Sequence, residues 1–174
     1  MARKKREKVK LTGDEEQLVS FRLGKEIFGV KVGQVREIGK VQDITRIPQM
    51  PAFIEGVLNL RGQITTVIDL KKRLNIVIEG DKGITSASRI IIAEIGDTQI
   101  GIIVDSVEDV IRVPRVSISP APNMISTGAD NYLTGICKLP DRLVMLLDLN
   151  KLMGQTEMEQ VANLAVPPKA AVLV

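Results

Sequence analysis

The chain has 174 residues, 44 % hydrophobic and 26 % charged, enough to bury a core as one ordinary domain or as two small lobes. It holds no His and one Cys, which excludes Ser-His-Asp and Cys-His catalysis and an internal disulfide, and nearly excludes a structural zinc site. The net charge of +3 is local: residues 1–10 carry six basic side chains and Glu7, so the remainder has 24 − 6 = 18 basic against 21 − 1 = 20 acidic residues.

Residues 1–16 lack apolar periodicity and read as a disordered basic tail. It is a solvated arm on that reading, with contact to phosphates or anionic lipid as the alternative. No apolar segment follows the charges, so a secretory signal is not expected. No stretch approaches the roughly 20 apolar residues that cross a bilayer. Residues 17–23 alternate, with Val19, Phe21 and Leu23 on one face and Ser20 and Arg22 on the other. Gly24-Lys25-Glu26 is a turn, and 27–32 resumes the alternation with Phe28, Val30 and Val32 inward. Val32, Val35 and Ile38 recur near helical spacing, which suggests a short helical turn. Pro48 and Pro51 make 41–50 a loop or edge. Residues 57–60 and 63–70 read as strands joined near Arg61-Gly62. Residues 79–88 are polar and form a seam, the second half repeats the order, and 150–165 looks helical until Pro167-Pro168.

The chain says much of this twice. Phe53-Ile54-Glu55-Gly56-Val57 answers Tyr132-Leu133-Thr134-Gly135-Ile136, and Ile68-Asp69-Leu70 answers Leu147-Asp148-Leu149. Both blocks keep one offset, since 135 − 56 = 79 and 148 − 69 = 79. Earlier, Leu23-Gly24 and Gly29-Val30 answer Ile95-Gly96 and Gly101-Ile102, with 96 − 24 = 72. The growth in offset places a longer loop within 112–130 of the second copy. Such self-similarity means one supersecondary unit built twice. Many short strands with turn signals imply a small barrel or sandwich. A half of this size is marginal alone, so the two should share a buried apolar face.

The repeat also works as an internal control. Gly29, Gly56 and Asp69 recur and are expected to serve the fold. Asp69 and Asp148 are either two related carboxylates sharing a proton, as in aspartic proteases, or caps on the turn after each strand. Cys137 stands where the first copy has Leu58 and reads as a core filler. Asn59-Leu60-Arg61-Gly62 is answered by Lys138-Leu139-Pro140-Asp141. Arg61 offers a planar fork suited to a partner's carboxylate or carbonyls, the alternative being a solvated hairpin tip. An enzyme finds no catalytic set beyond the repeated Asp. A nucleic-acid-binding barrel would need a basic face and stacking aromatics, which are 2 % of this chain.

Over residues 17–153 the chain resembles the CheW chemotaxis coupling proteins. The carriers are Phe53-Ile54-Glu55-Gly56-Val57-Leu58-Asn59-Leu60-Arg61-Gly62, then Val67-Ile68-Asp69-Leu70, with Ile44-Thr45-Arg46-Ile47-Pro48, Gly101-Ile102-Ile103-Val104-Asp105-Ser106-Val107 and Leu146-Leu147-Asp148-Leu149 in support. Thr66 departs from many relatives, which carry Pro in that strand. The resemblance implies a mostly β fold: two SH3-like five-stranded β-barrel subdomains packed over a shared hydrophobic core, with short helices and a C-terminal helix. The expected division is 17–78, a connecting loop 79–88, 89–153, and a helix and tail 154–174. It implies no catalysis, no cofactor and no metal. The implied role is a cytoplasmic adaptor, monomeric when free, that joins the histidine kinase CheA to the cytoplasmic tips of chemoreceptors, without nucleic acid or membrane insertion. Receptor contact would fall on Glu37, Ile38, Asn59 and Arg61, and kinase contact on Val19, Val32 and Val35.

Overall fold

The computed structural model describes residues 14–120 and 132–153. Residues 1–13, 121–131 and 154–174 lie outside the described residues, and with them most of the expected basic tail, much of the expected longer loop and the expected C-terminal helix and tail. Eleven strands are described: β1 (Glu15–Leu23), β2 (Glu26–Lys31), β3 (Val35–Lys40), β4 (Ile54–Leu60), β5 (Gln63–Asp69), β6 (Arg89–Ile95), β7 (Thr98–Val104), β8 (Ser106–Pro114), β9 (Ile118–Pro120), β10 (Leu133–Leu139) and β11 (Arg142–Leu147). One α-turn, α1 (Leu70–Arg73), follows β5, and single 3-10 turns sit at Val32–Gln34, Arg115–Ser117 and Leu149–Lys151. β1 starts inside the stretch read as tail, because Glu15 and Glu16 pair with Pro114 and Val113. The helical spacing of Val32, Val35 and Ile38 resolves into a 3-10 turn and then strand. β-branched side chains pack well on a pleated surface, and β6 supplies a neighbour for β3 there.

One sheet has the order β8-β1-β2-β11-β10-β9 and the other β3-β6-β7-β5-β4. The repeat maps one onto the other: exchanging β1 for β6, β2 for β7, β3 for β8, β4 for β10 and β5 for β11 reproduces the order. The register obeys both offsets. Ser20 pairs with Gly29 as Ile92 pairs with Gly101, and 92 − 20 = 101 − 29 = 72. In the parallel pairs, Leu146 meets Gly29 as Val67 meets Gly101, and 146 − 67 = 79. Even β9 has a counterpart, since Ser119 pairs with Ile136 where the isolated bridge sets Thr45 against Val57.

Each sheet nevertheless draws on both halves, so residues 17–78 and 89–153 are not two self-contained sheets. The hairpin β1–β2 lies between β8 and β11, and the hairpin β6–β7 between β3 and β5. Similar hairpins have similar edges, so either half can supply the neighbour a strand needs. The exchange satisfies edges that would otherwise present unpaired backbone groups.

Alternation along the strands feeds separate interiors. Val19, Phe21 and Leu23 of β1 enter the main core with Phe28, Val30, Ile91, Ile100 and Ile102, which is the shared apolar face. Leu18 turns the other way, to Val113, Cys137, Val144 and Leu146. Leu58, Val67, Ile90, Ile92 and Ile103 form the equivalent cluster under the second sheet. In the cluster around Leu18, Cys137 takes the place that Leu58 has in the other, as the repeat implies, and burial pushes its thiol pKa up.

Two polar devices join the halves. The Arg73 guanidinium lies 4.4 Å from the Phe53 ring centroid and 5.2 Å from that of Tyr132, and its Nε donates to the Leu152 carbonyl. Phe53 and Tyr132 are 79 residues apart, as are Arg73 and Leu152, so this junction gathers repeat-related residues. Lys71, its side chain only 9 % exposed, pairs with Asp81 at 2.9 Å and Asp105 at 2.8 Å. Asp105 also accepts from the Gly24 amide at 2.7 Å. One ammonium thus pins α1 to the connecting segment and to the β7–β8 turn.

Candidate surface groove

The turn after β4 is set by local chemistry. Leu60 pairs with Gln63, leaving the two-residue loop Arg61-Gly62. Both loop residues have positive φ, 55° and 84°, the pattern of a type I′ hairpin turn whose twist matches its strands. Gly62 meets that demand without a Cβ penalty, and Arg61 does not. The Asn59 Oδ1 accepts from the Gly62 amide at 2.7 Å and so braces the loop.

β6 brings β3 across from this hairpin. Arg61 Nη1 donates to Glu37 Oε2 at 2.8 Å and Nη2 to Oε1 at 2.7 Å, a bidentate pair. Glu37, by hydrogen bond and charge, raises the Arg61 pKa further above its usual value. The Arg61 side chain is 74 % exposed, so the pair organises a surface more than it stabilises the fold. Together with Asn59, these residues line a groove whose floor is Leu58, Leu60, Ile90 and Ile92 and whose rim includes Lys40 and Gln42.

Of the four residues assigned to receptor contact, Glu37, Asn59 and Arg61 therefore meet in one groove. Ile38 follows Glu37 in β3 and alternates to the other face of this edge strand, 39 % exposed. Among the three residues assigned to kinase contact, Val19 lies deepest. It is 3 % exposed in the main core because β1 is covered on both faces, so it packs the fold. Val32 opens the 3-10 turn and Val35 follows it, both half-buried, and they keep some surface for a partner.

The repeated aspartates cap turns. Asp69 accepts from the amides of Lys71 and Lys72, and Asp148 from that of Asn150. Burial raises the Asp69 pKa, and the backbone bond from Lys72 works against that rise. Capping accounts for these side chains.

Sequence reading missed Leu58, Leu60, Ile90 and Ile92 as the groove floor, and Lys40 and Gln42 at its rim. Ile90 and Ile92 come from the other half, and no local signal announces that. It also missed the second carboxylate–arginine contact. Asp109, which answers Glu37 because 37 + 72 = 109, lies 3.6 Å from Arg142. The pairing repeats, although the arginine comes from the first residue of β11 and not from the loop.

A family profile described as "CheW-like domain" matches residues 17–157. The chain belongs to the CheW-like domain family. The match takes in both sheets and the groove and leaves out the basic N-terminal run. Chemotaxis protein CheW of Treponema pallidum is 35 % identical over 156 residues, covering 87 % of this chain and 90 % of that protein. Chemotaxis protein CheW of Klebsiella aerogenes is 36 % identical over 160 residues, covering 90 % and 93 %. The crystal structure of scaffolding protein TtCheW from Thermoanaerobacter tengcongensis matches with a TM-score of 0.72 at 41 % identity, covering 79 % of this chain and 91 % of that one. This CheW-like domain is thus mostly β with a shared core. Among the described residues, no helix is long and apolar enough to cross a membrane.

Proposed function

We propose that this protein is a non-catalytic chemotaxis adaptor that couples chemoreceptors to the histidine kinase CheA. Its place is the cytoplasm, where it joins receptor arrays through these partners. The observation that carries the reading is the groove where Glu37, Asn59 and Arg61 converge over an apolar floor, in a chain of the CheW-like family. A receptor tip is a helical bundle, and a helix laid into an apolar groove with a charged rim is a familiar recognition mode. Glu37, Asn59 and Arg61 serve the receptor, with Ile38 on the neighbouring face. Val32 and Val35 serve the kinase.

The test is co-precipitation of this protein with soluble fragments of a chemoreceptor tip and of the CheA regulatory domain, alone and together. Both should be captured by the wild type. Arg61→Ala should weaken receptor capture, leave kinase capture intact and keep the melting temperature near that of the wild type, since the pair is solvent-exposed. Unchanged receptor capture would defeat the assignment. A large fall in melting temperature would make Arg61 a structural residue.

A further inference from the structure

We infer that Asn59 is a positioning residue that acts on the receptor through Arg61, holding the left-handed loop that presents the guanidinium, and makes no partner contact of its own. The inference rests on the groove being the receptor site. Its first support is strain. Arg61 sits at φ 55°, where an L side chain crowds its own backbone, and nothing in the fold demands an arginine there. A relaxed two-residue loop of this hand would carry Asn or Asp at that position, followed by Gly.

The second support is the other copy of the unit. Leu139 pairs with Arg142, so the second hairpin also closes on two residues, Pro140 and Asp141. Proline locks a negative φ, and neither residue has a positive one. That loop therefore has a different hand, and Lys138 stands where the first copy has Asn59. Yet the acid–arginine contact persists there as Asp109 and Arg142 at 3.6 Å. The fold can bring a carboxylate to an arginine without a left-handed turn. What belongs to the first hairpin alone is the turn, its strained arginine and the Asn59 bond that braces it.

The third support is where the Asn59 side chain is engaged. Its carboxamide oxygen accepts from the Gly62 amide at 2.7 Å, the residue after Arg61. Removing that acceptor frees the amide to find water and lets the loop relax away from φ > 0. Arg61 then leaves its two-point grip on Glu37 and the edge of the groove.

The full chain and a soluble chemoreceptor-tip fragment test this. Asn59→Ala should weaken binding about five- to tenfold, the loss expected of one hydrogen bond. Asn59→Asp keeps a side-chain acceptor and should restore most of it. In an Arg61→Ala background, Asn59→Ala should cost nothing further, because there is no guanidinium left to position. Without partner, exchange of the Gly62 amide should be slow in the wild type and Asn59→Asp and fast in Asn59→Ala. Independent losses that add in the double variant would mean that Asn59 touches the receptor and would overturn the inference alone. So would a rapidly exchanging Gly62 amide in the wild type. No effect of Arg61→Ala by itself would instead remove the receptor reading, and this inference with it.

Discussion

Gly56→Ala is the substitution whose cost the structure specifies best. Gly56 lies at φ 147°, and a Cβ there would stand 2.1 Å from the Thr45 carbonyl oxygen and 2.7 Å from its carbon. Ordinary contact begins at 3.4 Å, so the Thr45 backbone must retreat by about 3.4 − 2.1 = 1.3 Å. That retreat breaks the bridge to Val57, whose two hydrogen bonds are each 2.8 Å. Losing them costs about 2 kcal/mol, and the backbone conformation adds about 1–3 kcal/mol for a residue with a Cβ. The total, about 3–5 kcal/mol, is a large share of the ~5–15 kcal/mol that holds a domain folded. The repeat supplies the control. A Cβ on Gly135 would meet Ile118 Cγ2 at 2.8 Å and the Ser119 oxygen at 2.9 Å, and its φ is not among the positive ones. The Ser119 backbone need retreat only about 3.4 − 2.9 = 0.5 Å and no positive φ adds strain, so Gly135→Ala should cost less, about 1–2 kcal/mol. Urea unfolding of both variants, with equal m-values confirmed, measures the difference. If Gly56→Ala costs no more than Gly135→Ala, the close approach of Thr45 is not what the repeated glycine serves.

Lys71→Met should destabilise the protein by about 1–2 kcal/mol at neutral pH, less than a fully buried pair because both carboxylates are partly solvated. Burial alone would lower the Lys71 pKa, but its bonds to Asp105 and Asp81 outweigh this and raise it above 10.5, so its contribution holds below 10.5 and fades as pH rises through the folded value. The Lys71 bond holds the Asp81 pKa below 3.8, so that contribution holds above 3.8 and is lost as pH falls through the folded value. The gap between wild type and variant should therefore narrow at pH 3 in urea melts, and an unchanged gap would refute the ion-pair account. Cys137, buried and with its thiol pKa raised, should resist a thiol-labelling reagent in the native protein and react on unfolding. Prompt native labelling would place it at an accessible surface.

Much of the scaffold is legible in the sequence. The offsets of 72 and 79 reappear in the strand register, and Gly29, Gly56 and Asp69 serve pairing, close approach and capping. The Asn59-Leu60-Arg61-Gly62 segment stood out because the other copy lacks it, and the groove is built on it. These features follow from patterns a few residues long, in which side-chain period and turn chemistry act locally. Tertiary structure alone decided which half completes which sheet, since two similar hairpins offer similar edges and local pattern cannot choose between them. It buried Val19 by covering β1 on both faces, where alternation left core and partner contact equally open. It joined Glu37 to Arg61 across 24 residues by pairing β3 with a strand from the other half. And it showed that the acid–arginine contact is common to both lobes, while the left-handed turn beneath Arg61 is not. Sequence determined the unit and its repetition; long-range pairing determined the surface, because a groove is made of edges that only the folded chain brings together.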